Sequence, residues 1–284
     1  MRKKNVEEQE IPLEISLPQV KKGRLIAYIL GTEPMIVNRM AEKAKQQLLQ
    51  PPPKKNQADK SSSPKHMVLE EFRAAAHMLQ TGPTLLALPS MCFKGALRNA
   101  ALDLPGTKKA VIGRLTYVEG EMVSIYGIPQ LLMSVVRNSD INRTPDIRSR
   151  PILPKWAAKL SISYVVPLIQ DKVIMGLLQA GGIYIGVGDF RSEKGLANYG
   201  QFKPVSANDP ELLEILKTGG RKAQEAAMLS PTFYNAETEE LYHWYNKEMV
   251  RRGFTKTLQM GTQEASTTKP NGQEVEESSE SQLA

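Results

Sequence analysis

Between Gly181 and Phe202 the chain reads GGIYIGVGDFRSEKGLANYGQF, with glycines at 181, 182, 186, 188, 195 and 200. Glycine supplies backbone shapes that a side chain forbids and lets a second backbone approach closely. No other stretch narrows the possible folds so much. The apolar run Ile183-Tyr184-Ile185 reads as a strand that enters a constrained loop, and Phe202 closes it. Two readings of the loop stand side by side. Its amides, with Arg191 and Lys194, can hold a phosphate. Alternatively the glycines only shape a hairpin or bulge. Asp189 can take a magnesium ion or act as a turn residue bonded to its own backbone. No Gly-Lys-Ser/Thr follows, so this is not a nucleotide P-loop.

At 284 residues the chain can bury a sizeable core. It has no apolar run long enough to span a bilayer and no apolar segment after the charged start, so neither a membrane span nor a signal peptide is expected. The lone cysteine, Cys92, excludes an internal disulfide, reads as a small core residue and fits a reducing cytoplasm. One cysteine and three scattered histidines make no metal spacing, and no cofactor motif appears. The formal charge is +7, unevenly placed: residues 261–284 carry −4, which leaves +11 on the preceding residues. A basic body favours polyanions, nucleic acid first.

Residues 1–22 read as a flexible arm, and 50–65 (QPPPKKNQADKSSSPK) as a low-complexity insertion. Strands are expected at 24–30, 111–117, 121–128, 160–166 and 201–205, the second and third joined as a hairpin at Glu119-Gly120. Helices are expected at 68–79, from Ser90 as N-cap through Leu102, at 171–180, 210–229 and 237–250. On the helix that follows Pro89, Lys94 and Arg98 lie four apart and share a face, and Gly95 reads as a close-packing point. Residues 137–155 carry Arg137, Arg143, Arg148 and Arg150 among prolines and read as a projecting ribbon. Trp156 and Tyr199 can stack on bases, although Trp156 reads better as core. Stripped of insertion and ribbon, the order approaches β-α-β-β-α-β. That predicts an α+β fold, a ferredoxin-like, RNA-recognition-type core whose sheet keeps one face open for single-stranded bases.

The segment Pro89-Ser90-Met91-Cys92-Phe93-Lys94-Gly95-Ala96-Leu97-Arg98 resembles a motif of the RAMP superfamily, the proteins that form the backbone of CRISPR effector complexes. The glycine-rich loop falls late in the domain, as it does in that superfamily. The ribbon at 137–155 sits where the backbone subunits carry a thumb. With GTEPMIVNR and RPILPKW, the pattern resembles single RAMP-like proteins of bacteriophages. The resemblance covers roughly residues 23–206, with 207–253 a helical extension and 254–284 a disordered acidic tail. It implies binding of single-stranded RNA or DNA by copies multimerising along the strand; together with the basic body, non-enzymatic binding is expected. The contacts would be Lys94, Arg98, Arg137, Arg143, Arg148, Arg150, Gly186, Gly188, Arg191 and Lys194. Related subunits can cut RNA with an aspartate after the first strand. Here Gly31 to Met35 offers Glu33 and no aspartate. Two alternatives remain open: a metal-independent endoribonuclease that uses His66 or His77, and a phage structural or assembly protein.

Overall fold

Strand β1 (Lys21–Gly31) is the spine of the protein, and its alternation sets the two sides of the main sheet. Leu25, Ala27 and Ile29 point into the principal core, while Arg24, Ile26 and Tyr28 point the other way. The structure is a computed structural model and describes residues 19–40, 42–50, 64–137, 144–194 and 197–254. β1 pairs along its length with β9 (Ala157–Val166) and, on its other edge, with β10 (Phe202–Val205). The far edge of β9 takes two short strands in succession, β5 (Thr116–Val118) and β6 (Met122–Tyr126). Beyond β6 lie β4 (Leu86–Pro89) and β3 (His77–Met78). A second sheet joins β2 (Met35–Ile36), β8 (Pro145–Leu153) and β7 (Gln130–Arg137). Every strand pairing in both sheets is antiparallel, so the protein is a mixed α+β fold.

The helices follow apolar periodicity. They are α1 (Glu42–Leu49), α2 (Val68–Ala74), α3 (Ser90–Ala100), α4 (Lys109–Leu115), α5 (Asp171–Ala180), α6 (Pro210–Thr218), α7 (Arg221–Leu229) and α8 (Ala236–Arg251). α3 and α5 cover the core side of the main sheet with Phe93, Ala96, Leu97, Ala100, Ile174, Leu177 and Leu178, all buried. Each fully buried large side chain among them contributes roughly 1.5–3 kcal/mol. α6 starts at Pro210 and is capped by Asp209, whose carboxylate accepts from the amides of Glu211 and Leu212. It lays Leu212 and Ile215 on Leu30 and Ala157, on the opposite side of the sheet.

Several expectations are corrected. The helix from Val68 stops at Ala74, and His77–Met78 is an edge strand. Pro89, not Ser90, occupies the N-cap of α3, no side chain caps it, and the helix ends at Ala100. Residues 109–115 are helical because Ile112 packs inward and the Thr116 hydroxyl donates to the Ile112 carbonyl. β5 and β6 do not form a hairpin with each other; each bonds β9 instead. Gly181–Ile185 continues α5 as a wide helical turn rather than a strand. The stretch 210–229 is two helices, interrupted at Gly219, where a side chain would collide with the Gly127 backbone. The ribbon exists, but it starts at Gln130, and residues 138–143 lie outside the described set. No described helix is long and apolar enough to cross a membrane.

Candidate nucleic-acid interface

α3 turns Phe93, Ala96, Leu97 and Ala100 inward, which leaves Met91, Gly95 and Arg98 facing out. A side chain added at Gly95 would meet nothing within 4 Å, so its expected role in close packing is wrong. Lys94 and Arg98 both lean toward α4 and β5. The Lys94 ammonium stands 4.7 Å from the centroid of the Tyr117 ring. The Arg98 stem crosses Gly113, its Cδ 3.0 Å from where a Cβ would sit. α4 adds Lys109 and Arg114, and the Tyr117 hydroxyl donates to the Arg114 carbonyl at 2.8 Å. Among the described residues no carboxylate pairs with Lys94, Arg98, Lys109 or Arg114.

The arginines of the ribbon base and glycine-rich loop behave differently. Arg150 is 1% exposed. Its Nη1 donates to Asp189 Oδ2 at 2.5 Å and its Nη2 to the Ser134 hydroxyl at 2.7 Å, over the Phe190 ring. Burial pulls its pKa down, against the pull of Asp189. Asp189 also accepts from Asn38 Nδ2 and from the Phe190 amide, so its oxygens are taken up by protein donors. Arg191 grips Glu193 Oε2 through Nε at 2.8 Å and Nη2 at 2.7 Å. The other oxygen of Glu193 accepts from Asn99 of α3. Gly188 and Gly200 both hold positive φ against neighbouring backbone: a Cβ would fall 2.6 Å from the Ile36 carbonyl oxygen in the first case and collide with that of Val187 in the second. Gly186 lies against the Tyr199 and Gly200 carbonyls in the same manner. The loop is thus braced against β2, β8 and α3.

Arg137 ends β7 in solvent, and Arg148 projects from β8 beside a groove of about 490 Å³ that also holds Asn38, Arg39 and His66. His66 is clamped there, Nδ1 at 2.9 Å from Glu71 and Nε2 at 3.1 Å from Asp146. The hydrogen bond to Glu71 raises its pKa above the ordinary histidine value, against burial. Both ring nitrogens are engaged, which leaves neither directed at a substrate. His77 is shifted the other way, by burial first and then by Arg39 and Lys45. Burial pushes the Cys92 thiol up. No described group of histidine, cysteine and carboxylate residues can hold a metal.

The ten residues selected from the sequence are therefore divided rather than gathered. Lys94 and Arg98 face outward together, Arg150 and Arg191 are internal braces, and Arg137 and Arg148 belong to the ribbon. Arg143 and the side chain of Lys194 lie outside the described residues. Trp156 is core, its indole donating to the Glu33 carbonyl, and Tyr199 packs beside Leu132 and Ile152. Sequence reasoning missed Tyr117, Lys109 and Arg114; reading 111–117 as one strand hid the helix that presents the last two and ends just before the strand that carries Tyr117. The far side of the main sheet is part covered by α6. The rest of that side carries an Arg24–Glu119 ion pair at 2.8 Å and Lys159 over the Tyr28 ring at 5.8 Å.

No protein-family model matches the chain, and no curated protein does. Among solved structures, the crystal structure of Cmr6 from Pyrococcus furiosus aligns at a TM-score of 0.32 and 8% identity, over 65% of this chain and 98% of that one. A likeness that faint decides nothing about function.

Proposed function

We propose that this protein binds single-stranded nucleic acid, RNA or DNA, without altering it, and that the outward face of α3 with the adjoining α4 is the contact surface. The observation that carries the reading is Gly95, set between Lys94 and Arg98 with empty space above it. A glycine in a helix interior, on a face that packs against nothing, costs about 0.8–1.0 kcal/mol relative to alanine. Nothing within the described protein needs that cost. A phosphate backbone lying close against the helix does, and the unpaired cations on either side supply its counter-charge.

The fold reading belongs to the same proposal. Strand order β10-β1-β9, followed by β5 and β6, with α3 and α5 on one side, supports a ferredoxin-like core of the RAMP type. On that reading the ribbon is a thumb, and copies line up along one strand. The reading extends to kinship with single RAMP-like proteins of bacteriophages, on the sequence segments GTEPMIVNR and RPILPKW.

The test is fluorescence anisotropy with a labelled 30-nucleotide uridine RNA and its DNA counterpart, titrated at several salt concentrations. If Lys94, Arg98, Lys109 and Arg114 each meet one phosphate, log affinity falls with log salt at a slope of about −3. The Lys94→Ala/Arg98→Ala variant loses affinity and flattens that slope by about 1.4. Absence of binding at low salt, or a double variant that binds like the wild type, overturns the reading. Bound copies that fail to increase with strand length remove the multimer from it.

A further inference from the structure

We infer that Tyr117 is a base-stacking platform for the strand that lies on α3, which gives the interface a contact to bases as well as to phosphates; the inference rests on the binding proposed above. Tyr117 occupies the outer edge of the main sheet, in β5, opposite Ser163 of β9. Its neighbours in the strand, Thr116 and Val118, point into the protein, so the pleat turns Tyr117 outward. Tyr117 is 48% exposed, although a tyrosine carries a large apolar surface that folding ordinarily covers. Its hydroxyl is anchored on the Arg114 carbonyl at 2.8 Å, so the exposed ring is held in place.

The surroundings fit an unpaired nucleotide. The Lys94 ammonium, 4.7 Å from the ring centroid, marks the electron-rich face of the ring as one that attracts positive charge. Arg98 and Arg114 are exposed on the adjoining helices. An exposed aromatic ring with one cation over it and others on the adjoining helices, none with a carboxylate partner among the described residues, is the kind of arrangement by which proteins hold unpaired bases with little regard to sequence. A base lies against the exposed ring while Lys94 and Arg98 take the phosphates beside it. This geometry selects single strands, because a base inside a duplex has no free face to offer.

Three variants of the full-length protein test this with the same labelled RNA, and with a 12-nucleotide RNA that carries one 2-aminopurine. Tyr117→Leu keeps an apolar side chain and removes the aromatic face. It weakens binding about fivefold or more, while the salt slope stays at its wild-type value, since stacking releases no counterions. It also restores 2-aminopurine emission that the wild type quenches. Tyr117→Phe drops the hydroxyl, keeps the ring and binds within about twofold of the wild type. Tyr117→Trp binds at least as tightly as the wild type. Thermal melting of each variant reports whether the fold is kept. Wild-type affinity in a folded Tyr117→Leu protein overturns the inference, as does a Tyr117→Phe loss equal to that of Tyr117→Leu. If Lys94→Ala/Arg98→Ala weakens binding while Tyr117→Leu does not, the phosphate contact stands and only the stacking seat falls. A wild type that binds neither RNA overturns both.

Discussion

Two sets of cations, one at the base of the ribbon and one on α3 and α4, carry the same residue types and do opposite things. Arg150 and Arg191 are consumed by Asp189 and Glu193, and with them the glycine-rich loop is fastened to the ribbon and to α3. Lys94, Arg98 and Arg114 have no carboxylate among the described residues, and Lys94 stands over the exposed Tyr117 ring. The difference teaches that arginine density is a poor guide to a binding surface. Partner supply is the better guide: a buried arginine must be paired, and a paired one has little left for a ligand. In the sequence the glycine-rich loop looks the richer anion site, yet Gly186, Gly188, Gly200 and Arg191 serve contacts within the protein.

The contrast is broken most severely at Arg150. Arg150→Ala leaves Asp189 short of its main partner and lowers stability by about 3–5 kcal/mol, read by urea denaturation. Nucleic-acid affinity per folded molecule stays unchanged. If that affinity collapses instead, the two sets of cations are one site. The next effect in size is Arg98→Ala, which weakens RNA binding about tenfold while stability shifts by no more than about 0.5 kcal/mol. Arg191→Ala, its counterpart in the loop, changes affinity by less than about twofold, because Glu193 already neutralises the arginine. Glycines sharpen the comparison further. Gly95→Ala raises stability by about 0.5–1 kcal/mol, since the added methyl meets open space. Gly188→Ala lowers it, since φ is +86° and the Ile36 carbonyl is in the way. Paired thermal melts decide both.

The smallest effect is on pH. The folded pKa of His66 lies above its unfolded value, held there by Glu71. The clamp therefore contributes fully below about pH 6.5, the unfolded value, and its contribution is lost as pH rises through the folded pKa. Denaturation at pH 6 and pH 8 should differ by less than about 1 kcal/mol, with the protein weaker at pH 8 in this respect. His66→Gln removes that difference. An unchanged difference assigns it to other groups.

The parts of the fold that were legible in the sequence are those where pattern and environment agree. β1, β9, α5 and β10 announce themselves because alternation or helical spacing coincides with a one-sided core. Lys109–Leu115 was not legible: Val111 and Ile112 favour strands, and only packing against α3 makes the segment helical. At the site, the Lys94 and Arg98 pair was readable from a spacing of four. The bond from Arg191 to Glu193 was also within reach, two residues apart. The bonds from Arg150 to Asp189 and from His66 to Asp146 span 39 and 80 residues, and no local signal encodes them. Tyr117 gained meaning only once Lys94 was seen above it.

One side chain of α7 has a consequence for how the protein can be shortened. Gln224 is fully buried; its carbonyl accepts from the amides of Leu85 and Leu86, and its amide nitrogen reaches the carbonyls of Ile125, Gly127 and Gly219. The late helices thereby act as a clasp over the rim where β4 and β6 meet. A fragment cut near residue 206 would open that clasp, expose amides and carbonyls that have no other mate, and behave as a frayed sheet rather than as a smaller version of the whole.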